Sequence, residues 1–336
     1  MQPKDAGTRR RAEAPAARDH YLDAMALVTT PFGPSSTAAE VLAGVDLRGR
    51  RFLVTGAASG LGVETTRALA NAGARVTMGV RDLVAGQRIA SEISLGSSGY
   101  VEVMKLELTS AQSIASLAAG WDGPLHGLVC NAGIMATPES RNAAGWELQF
   151  ATNHLGHFAL ALALRRALVA GAPSRIVSLS SIGHRRSPVM FDDINFRERD
   201  YDPWLAYGQS KTANVLFAVG AAQRWALDGI TANAVHPGGI MTNLQRHMDQ
   251  AEIRARGWVK DDGSDAEGFK SPEQGAATST LLAASPLVED VGGRYFEDCN
   301  EASAATAQDL YHGVESYALD PGLADRLWDL SVRATG

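Results

Sequence analysis

Short apolar runs alternate along most of the chain with longer segments in which apolar residues recur at helical spacing. The runs predict buried strands, and the longer segments predict helices that pack against them. This alternation predicts an α/β fold with a doubly wound, mostly parallel sheet of about seven strands. The predicted strands cover residues 51–55, 74–80, 100–108, 125–130, 175–180, 230–236 and 293–296, and the predicted helices cover 61–72, a segment from 82 onward, 111–119, 153–169 and 204–226.

Two polar, irregular stretches follow the fifth and sixth predicted strands. They cover residues 183–206 and 241–270. Ligands of doubly wound sheets lie beyond the carboxyl ends of the strands, so we expect both stretches to be substrate loops. No linker divides the chain, which predicts one domain over residues 49–336. We expect residues 1–20 to form a disordered arm, and residues 21–48 to form a short N-terminal extension that leads into the fold.

Composition excludes several classes of function. The formal net charge of −6 gives no electrostatic reason to bind nucleic acid or an anionic membrane. No apolar run approaches the ~20 residues of a membrane span. Cys130 and Cys299 form no CxxC pair, which argues against a disulfide framework and favours the reducing cytoplasm. His154 and His157 lie three residues apart without a third ligand nearby, so we expect no metal site.

A glycine-rich turn, residues 55–62 (TGAASGLG), connects the first predicted strand to the first predicted helix. Glycines let a backbone turn tightly and approach a pyrophosphate, which the free N–H groups at a helix N-terminus then bind. In this strand–turn–helix context the motif predicts a dinucleotide site, and a turn needed only for packing is the alternative. The candidate cofactor ligands in the turn are Gly56, Ser59, Gly60, Leu61 and Gly62.

Tyr207 and Lys211 lie four residues apart in a predicted helix, so their side chains leave the same face. A free tyrosine has a pKa of about 10, and a neighbouring cation lowers the pKa by stabilising the phenolate. The pair therefore predicts an acid/base group, with a solvated surface pair as the alternative.

These motifs, with four others in the same order, make the chain resemble the short-chain dehydrogenase/reductase family over roughly residues 45–300. The glycine turn is similar to the family's TGxxxGxG motif, and Tyr207 and Lys211 fill its YxxxK motif. The resemblance implies a Rossmann fold, a nicotinamide cofactor, and a homodimer or homotetramer. The other matching positions are Asn131-Ala132-Gly133, Asn153 in NHLGHF, the serine pair 180–181, and Pro237-Gly238 with Thr242.

The resemblance implies interconversion of a carbonyl and an alcohol, with Tyr207 as the general acid/base. Lys211 would lower the pKa of Tyr207, and Ser181 would donate a hydrogen bond to the carbonyl oxygen. Asn153 would hold a water that links Lys211 to solvent. Alternation along the strand sends one of Ser180 and Ser181 toward the cleft and the other away, without showing which is which. The family pattern selects Ser181 as the catalytic serine. Reduction of a carbon–carbon double bond and a non-catalytic NADP sensor remain as alternatives.

The end of the second predicted strand indicates the cofactor. Val80 occupies the position where NAD-specific members place a carboxylate, and Arg81 follows it. Because a guanidinium suits a 2′-phosphate, we expect NADP(H). NAD(H) is the alternative, with Asp82 on the ribose instead of capping a helix. Glu107-Leu108 stand where the family usually has Asp-Leu beside the adenine.

The first substrate loop indicates a subfamily. The 25 residues between Ser181 and Tyr207 exceed the spacing in many members and resemble the branch of retinol dehydrogenases and WW-domain oxidoreductases, and more distantly protochlorophyllide reductases. Apolar residues in both loops predict a bulky, partly apolar substrate, unless they only hold the loops to the core. We expect the basic residues 184–186 on an exposed part of the loop.

Overall fold

The computed structural model describes residues 26–336. The arm expected at residues 1–20 and the first part of the expected extension, 21–25, lie outside the described residues. The strands are β1 Arg51–Thr55, β2 Arg75–Val80, β3 Tyr100–Lys105, β4 Gly127–Cys130, β5 Ser174–Leu179, β6 Ile230–His236, β7 Tyr295–Glu297 and β8 Asn300–Glu301.

The eight strands form one sheet in the order β3-β2-β1-β4-β5-β6-β7-β8. Neighbouring strands pair in parallel, except that β8 pairs antiparallel with β7. The predicted doubly wound α/β fold is therefore confirmed, with one short strand beyond the seven expected. Because the strand order reverses between β1 and β4, a crevice opens there at the carboxyl edge of the sheet.

Helices cover both faces of the sheet. They are α1 Leu61–Asn71, α2 Leu83–Gly96, α3 Ala111–Ala119, α4 Leu148–Phe150, α5 Gly156–Ala163, α6 Arg165–Ala170, α7 Pro203–Trp225, α8 Gln250–Ala255, α9 Pro272–Gly275, α10 Ala277–Ala284 and α11 Pro321–Thr335. A π-helical turn, Ala151–Leu155, joins α4 to α5. The turns Ile182–Arg186 and Asn243–His247 are 3-10 helices inside the two expected substrate loops.

Alternation along β1 shows how the sheet acquires two apolar faces. Phe52 and Val54 belong to one buried cluster with helices α1 and α10, whereas Leu53 belongs to a second cluster with α5 and α7. Successive side chains of a strand point to opposite faces, so a nearly continuous apolar run supplies both cores.

Two predicted elements differ from the structure by more than two residues at one end or are divided in the structure. The strand expected over 100–108 ends at Lys105, because the backbone N–H of Glu107 donates to Ser113 Oγ (2.9 Å) and the chain turns toward α3. The helix expected over 153–169 is divided into the π-helical turn, α5 and α6, with a break at Leu164.

The described part of the N-terminal extension lies along β8. The Val28 N–H donates to Glu301 Oε2 (2.9 Å), and the Thr30 N–H donates to Asn300 Oδ1 (2.7 Å). These bonds pair residues that are about 270 positions apart, so the extension covers the antiparallel edge of the sheet.

Within residues 26–336, no helix combines the length and apolar character needed to cross a membrane.

Helix α11 contributes a third apolar cluster that covers the π-helical turn and α7. Leu327 is 1% exposed and packs in this cluster with Phe150, Leu155 and Leu216. Replacing Leu327 with alanine should lower the free energy of unfolding by about 2–5 kcal/mol, because it leaves a cavity beneath the helix. Denaturant titration measures this. Val332→Ala on the same helix is the control: this side chain is 43% exposed, and we expect a change within about 0.5 kcal/mol.

Candidate active site

A cleft of about 1640 Å³ lies at the carboxyl edge of the sheet. One end is lined by the glycine turn and the end of β2, and the other by the loops that follow β5, β6 and β7. Of the predicted site residues, Gly62 and Asn153 are buried behind this surface. The predicted residues that line the cleft are Gly56, Ser59, Gly60, Leu61, Arg81, Glu107, Leu108, Asn131, Ala132, Gly133, Ser181, Tyr207, Lys211, Pro237, Gly238 and Thr242.

The glycine turn packs closely against the loop that follows β4. Gly56 has a φ of +65°, and a Cβ there would lie 2.8 Å from Ala132 Cα. Asn131 Nδ2 donates to Thr55 O (2.8 Å), which holds the ends of β1 and β4 together. The turn thus has a packing role, and it also leaves the N-terminus of α1 open to the cleft. A dinucleotide diphosphate fits this cradle, since Gly56 and Gly60 line the approach to the helix N-terminus without side chains.

Two arginines line the other side of this end of the cleft. Arg81 follows β2 as expected, and Arg246 comes from the 3-10 turn after β6. Burial and the nearby Arg81 guanidinium lower the pKa of Arg246. Asp82 caps α2, with Oδ1 accepting from the N–H groups of Val84 (2.9 Å) and Ala85 (3.0 Å). Sequence reasoning missed Arg246, because nothing near it in the chain indicates what it faces.

Tyr207 and Lys211 are buried together on α7, each only 4% exposed. Lys211 Nζ lies 5.6 Å from the centre of the Tyr207 ring and donates to Leu179 O (2.9 Å). Burial lowers the pKa of Lys211 to about 8. It raises the pKa of Tyr207 to about 12, although a hydrogen bond with Ser181 acts in the opposite direction. The surface-pair alternative is therefore wrong, and in the protein alone burial outweighs the expected lowering of the tyrosine pKa.

The two serines at the end of β5 have different partners. Ser180 Oγ donates to Lys211 O (2.8 Å), so this hydroxyl binds the backbone of α7. Ser181 Oγ accepts from the Gly183 N–H (3.0 Å), and it lies beside the Tyr207 ring, where both adjoin Gly183. Ser181 is thus the serine whose hydroxyl lies beside the phenol.

Asn153 lies in the π-helical turn and is fully buried. Its Nδ2 donates to Ile134 O and to Ser210 Oγ, both at 2.9 Å, and its Oδ1 accepts from the Ile134 N–H (2.9 Å). These bonds fix the carboxamide between the loop after β4 and α7, next to Gly133 and Lys211.

The expected exposure of the basic residues 184–186 is wrong for His184 and Arg185. His184 is buried, its Nδ1 bonds Ser181 O (2.7 Å), and burial lowers its pKa to about 4. Arg185 pairs with Glu315 (3.1 Å) and donates to the backbone oxygens of Thr306 (2.7 Å) and His312 (2.8 Å). Both residues therefore hold a loop more than 100 residues away. Arg186 alone is exposed.

The far end of the cleft has apolar and charged sides. Trp258 lies perpendicular to Trp204 with ring centres 6.1 Å apart, so the second substrate loop packs on the start of α7. Charged groups come from the segments before and after β7, where Lys270 pairs with Asp298. Sequence reasoning missed this second set. The cleft residues it did not predict include Met135, Trp258, Phe269, Lys270, Glu297, Asp298, Tyr311 and His312.

Neither histidine flanking the asparagine motif contacts another metal-binding side chain. His154 Nε2 meets Ser331 Oγ (2.7 Å), and His157 Nε2 meets Thr55 Oγ1 (2.8 Å). Across residues 26–336, no group of three or more His, Cys, Asp or Glu side chains is arranged to hold a metal ion.

Cys130 is buried, which raises the pKa of its thiol and makes it a poor nucleophile.

Known proteins share this architecture and sequence. The sequence model of the short chain dehydrogenases matches residues 50–253. A probable oxidoreductase of Streptomyces antibioticus is 52% identical over 295 residues, which cover 86% of this chain and 99% of the relative. Human retinol dehydrogenase 11 is 37% identical over 296 residues, covering 87% of each chain.

A crystal structure of an uncharacterised protein from Mycobacterium paratuberculosis superposes with a TM-score of 0.69 at 33% identity, covering 90% of this chain and 97% of that one. The expected likeness to retinol dehydrogenases is confirmed by the human relative. Fold, ordered motifs and relatives agree: the chain belongs to the short-chain dehydrogenase/reductase family and is an oxidoreductase.

Proposed function

We propose that this oxidoreductase uses NADP(H) to interconvert a carbonyl and an alcohol on a bulky, partly apolar small molecule. The observation that carries the proposal is the buried pair of Tyr207 and Lys211 beside the half-buried Ser181 at the cleft surface. The family's nicotinamide cofactor supplies or accepts the hydride when it is bound, and the chain must then manage the proton.

Tyr207 suits the role of general acid in carbonyl reduction. Burial raises its pKa to about 12, so the phenol carries its proton at neutral pH and can give it to a developing alkoxide. Ser181 Oγ accepts from the Gly183 N–H, so its hydrogen can turn from Tyr207 to the same substrate oxygen when a substrate is bound.

Lys211 suits the role of resupplying that proton. One of its three hydrogens is used by Leu179 O, and the others are free for a ribose hydroxyl or a water. Its pKa, lowered to about 8, allows proton exchange near neutral pH. Asn153 lies next to Gly133 and Lys211, where it can hold a connecting water.

The choice of NADP(H) rests on Arg81 and Arg246. Both line the same end of the cleft, and their like charges repel each other. A 2′-phosphate between them would relieve that repulsion, whereas the bare ribose of NAD(H) would leave it. Asp82 is the alternative ribose ligand, but its Oδ1 already accepts two backbone bonds at the start of α2.

The substrate class rests on the lining of the far end. Trp258, Phe269 and Met135 offer apolar surface, and retinol dehydrogenase, the name of the human relative, refers to an apolar alcohol. A cytoplasmic location and a homodimer or homotetramer remain predictions. Consumption of NADPH with a panel of carbonyl compounds tests the proposal. Product analysis separates carbonyl reduction from reduction of a carbon–carbon double bond.

Replacing Tyr207 with phenylalanine should lower turnover by more than a hundredfold, because general acid catalysis contributes about 10²–10⁴. Steady-state kinetics with saturating NADPH measure this. Tyr100→Phe is the control, since Tyr100 lies exposed at the start of β3 and away from the cleft. Turnover of the Tyr207 variant within tenfold of wild type would contradict the mechanism.

Replacing Arg81 or Arg246 with alanine should weaken NADPH binding by about 10–100-fold, because a hydrogen bond to a charged group contributes about 1.5–3 kcal/mol. NADH binding should change less than threefold. Calorimetric titration of each variant measures both constants. Arg88→Ala, an exposed arginine on α2 that does not line the cleft, is the control. Equal losses for the two cofactors would argue against a 2′-phosphate site.

Carbonyl reduction should decline as pH rises through about 8. Burial lowers the pKa of Lys211 to about that value, so the ammonium is present below it and lost above it. A profile of kcat between pH 6 and 10 with saturating substrates tests this. A flat profile up to pH 10 would show that the lysine proton is not needed.

A further inference from the structure

His157 is a buried group that the proposed chemistry does not use. It is 2% exposed and lies at the start of α5, four residues after Asn153. Its Nδ1 is 2.9 Å from Asn153 O, and its Nε2 is 2.8 Å from Thr55 Oγ1. Both ring nitrogens are therefore used, and each contacts a different part of the site.

The partners determine where the ring carries its hydrogen. A carbonyl oxygen only accepts, so Nδ1 must donate to Asn153 O. Nε2 of the neutral ring is then an acceptor, and the Thr55 hydroxyl must donate to it. The hydroxyl's other contact, to Val129 O at 3.4 Å, is longer and weaker.

The Thr55 oxygen in turn accepts from the Ala132 N–H (2.9 Å). A directed chain of three hydrogen bonds thus runs from Ala132 through Thr55 and His157 to Asn153. Thr55 immediately precedes Gly56, and Ala132 is the centre of the loop that packs on the glycine turn. The chain therefore begins in the cofactor cradle and ends at the asparagine beside Lys211.

Burial makes this chain stronger than an exposed one, because bonds in a low-dielectric interior polarise one another. Burial also lowers the pKa of His157 to about 4, and nearby Lys211 adds to the effect, so the ring stays neutral at physiological pH. A neutral ring is the form that the chain requires.

We infer that His157 is a positioning residue that couples the cofactor cradle to Asn153, through a neutral imidazole protonated on Nδ1. This inference rests on the proposed function for its effect on turnover, but not for its hydrogen-bond pattern. Loss of the ring would free the backbone of the π-helical turn and leave the Thr55 hydroxyl without its acceptor.

His154 is a matched control. It lies in the same π-helical turn, is 1% exposed, and has a pKa lowered by burial to about 3. Its Nε2 bonds Ser331 of α11, on the side away from the cradle. Replacement of either histidine removes a buried ring from the same region, but only His157 touches Asn153 O and Thr55.

The first test is a two-bond ¹H–¹⁵N correlation spectrum of the wild-type protein, with the His157 signal identified by its loss in His157→Gln. We expect a neutral ring protonated on Nδ1 at pH 7 and still neutral at pH 5.5. A ring protonated on Nε2, or charged at pH 5.5, would overturn the inference whether or not a substrate is known.

The second test compares variants. We expect His157→Leu to lower kcat at least tenfold and to weaken NADPH binding two- to fivefold, with His154→Leu within twofold of wild type in both. His157→Gln, which can donate and accept, should recover part of the loss. It also provides the comparison if His157→Leu fails to fold.

Thr55→Val removes the same chain from its other end. We expect its loss of NADPH affinity and that of His157→Leu to be non-additive, so that the double variant binds NADPH about as tightly as the weaker-binding of the two single variants. Fully multiplicative losses, or equal kcat values for His157→Leu and His154→Leu, would refute the coupling. If no carbonyl is reduced, the spectrum and the binding cycle still decide the inference.

Discussion

The proposed catalytic arrangement depends on the close contact between the end of β5 and helix α7. Ser180 donates to the Lys211 backbone, and the Lys211 ammonium donates back to Leu179 O. A Cβ on Gly208 would lie 2.8 Å from Gly183 O, so strand, loop and helix approach more closely than a side chain would allow. This contact removes the tyrosine and the lysine from water while leaving both at the cleft surface. Burial disfavours the charged form of each, so it raises one pKa and lowers the other.

Electrostatics differ between the two ends of the cleft. At the end near α1 and α2, Arg81 and Arg246 both line the cleft and Arg81 lowers the pKa of Arg246, which favours an anionic ligand. At the other end, the ammonium of Lys270 is paired with Asp298 and apolar rings cover much of the surface. The first environment suits a phosphate of the proposed dinucleotide, and the second suits a largely uncharged substrate. The division follows mainly from topology, because the first end forms after β1 and β2, with Arg246 reaching it from the turn after β6, whereas the second forms after β5, β6 and β7.

Most of the fold could be predicted from the sequence, because its signals are local. A strand such as β1 is encoded by three adjacent apolar residues, 52–54, and the glycine turn is encoded by the spacing of its glycines. The elements that could not be predicted depend on distant partners. Arg185 belongs to a basic cluster that suggests an exposed loop, yet its guanidinium pairs with Glu315, 130 residues away. Arg246 has no distinctive neighbours in sequence, and its position opposite Arg81 exists only once the sheet is folded.

The sequence by itself determined the order of strands and helices along the chain, the family, and the residue types of the proposed acid/base group. These follow from periodicity and motif spacing, which adjacent residues carry. Only the tertiary structure decided which serine lies beside Tyr207, how far burial moves the pKa of Lys211, and that His157 joins Thr55 to Asn153. Those properties depend on exclusion of water and on distances of about 3 Å between atoms from separate elements, and no local pattern encodes them.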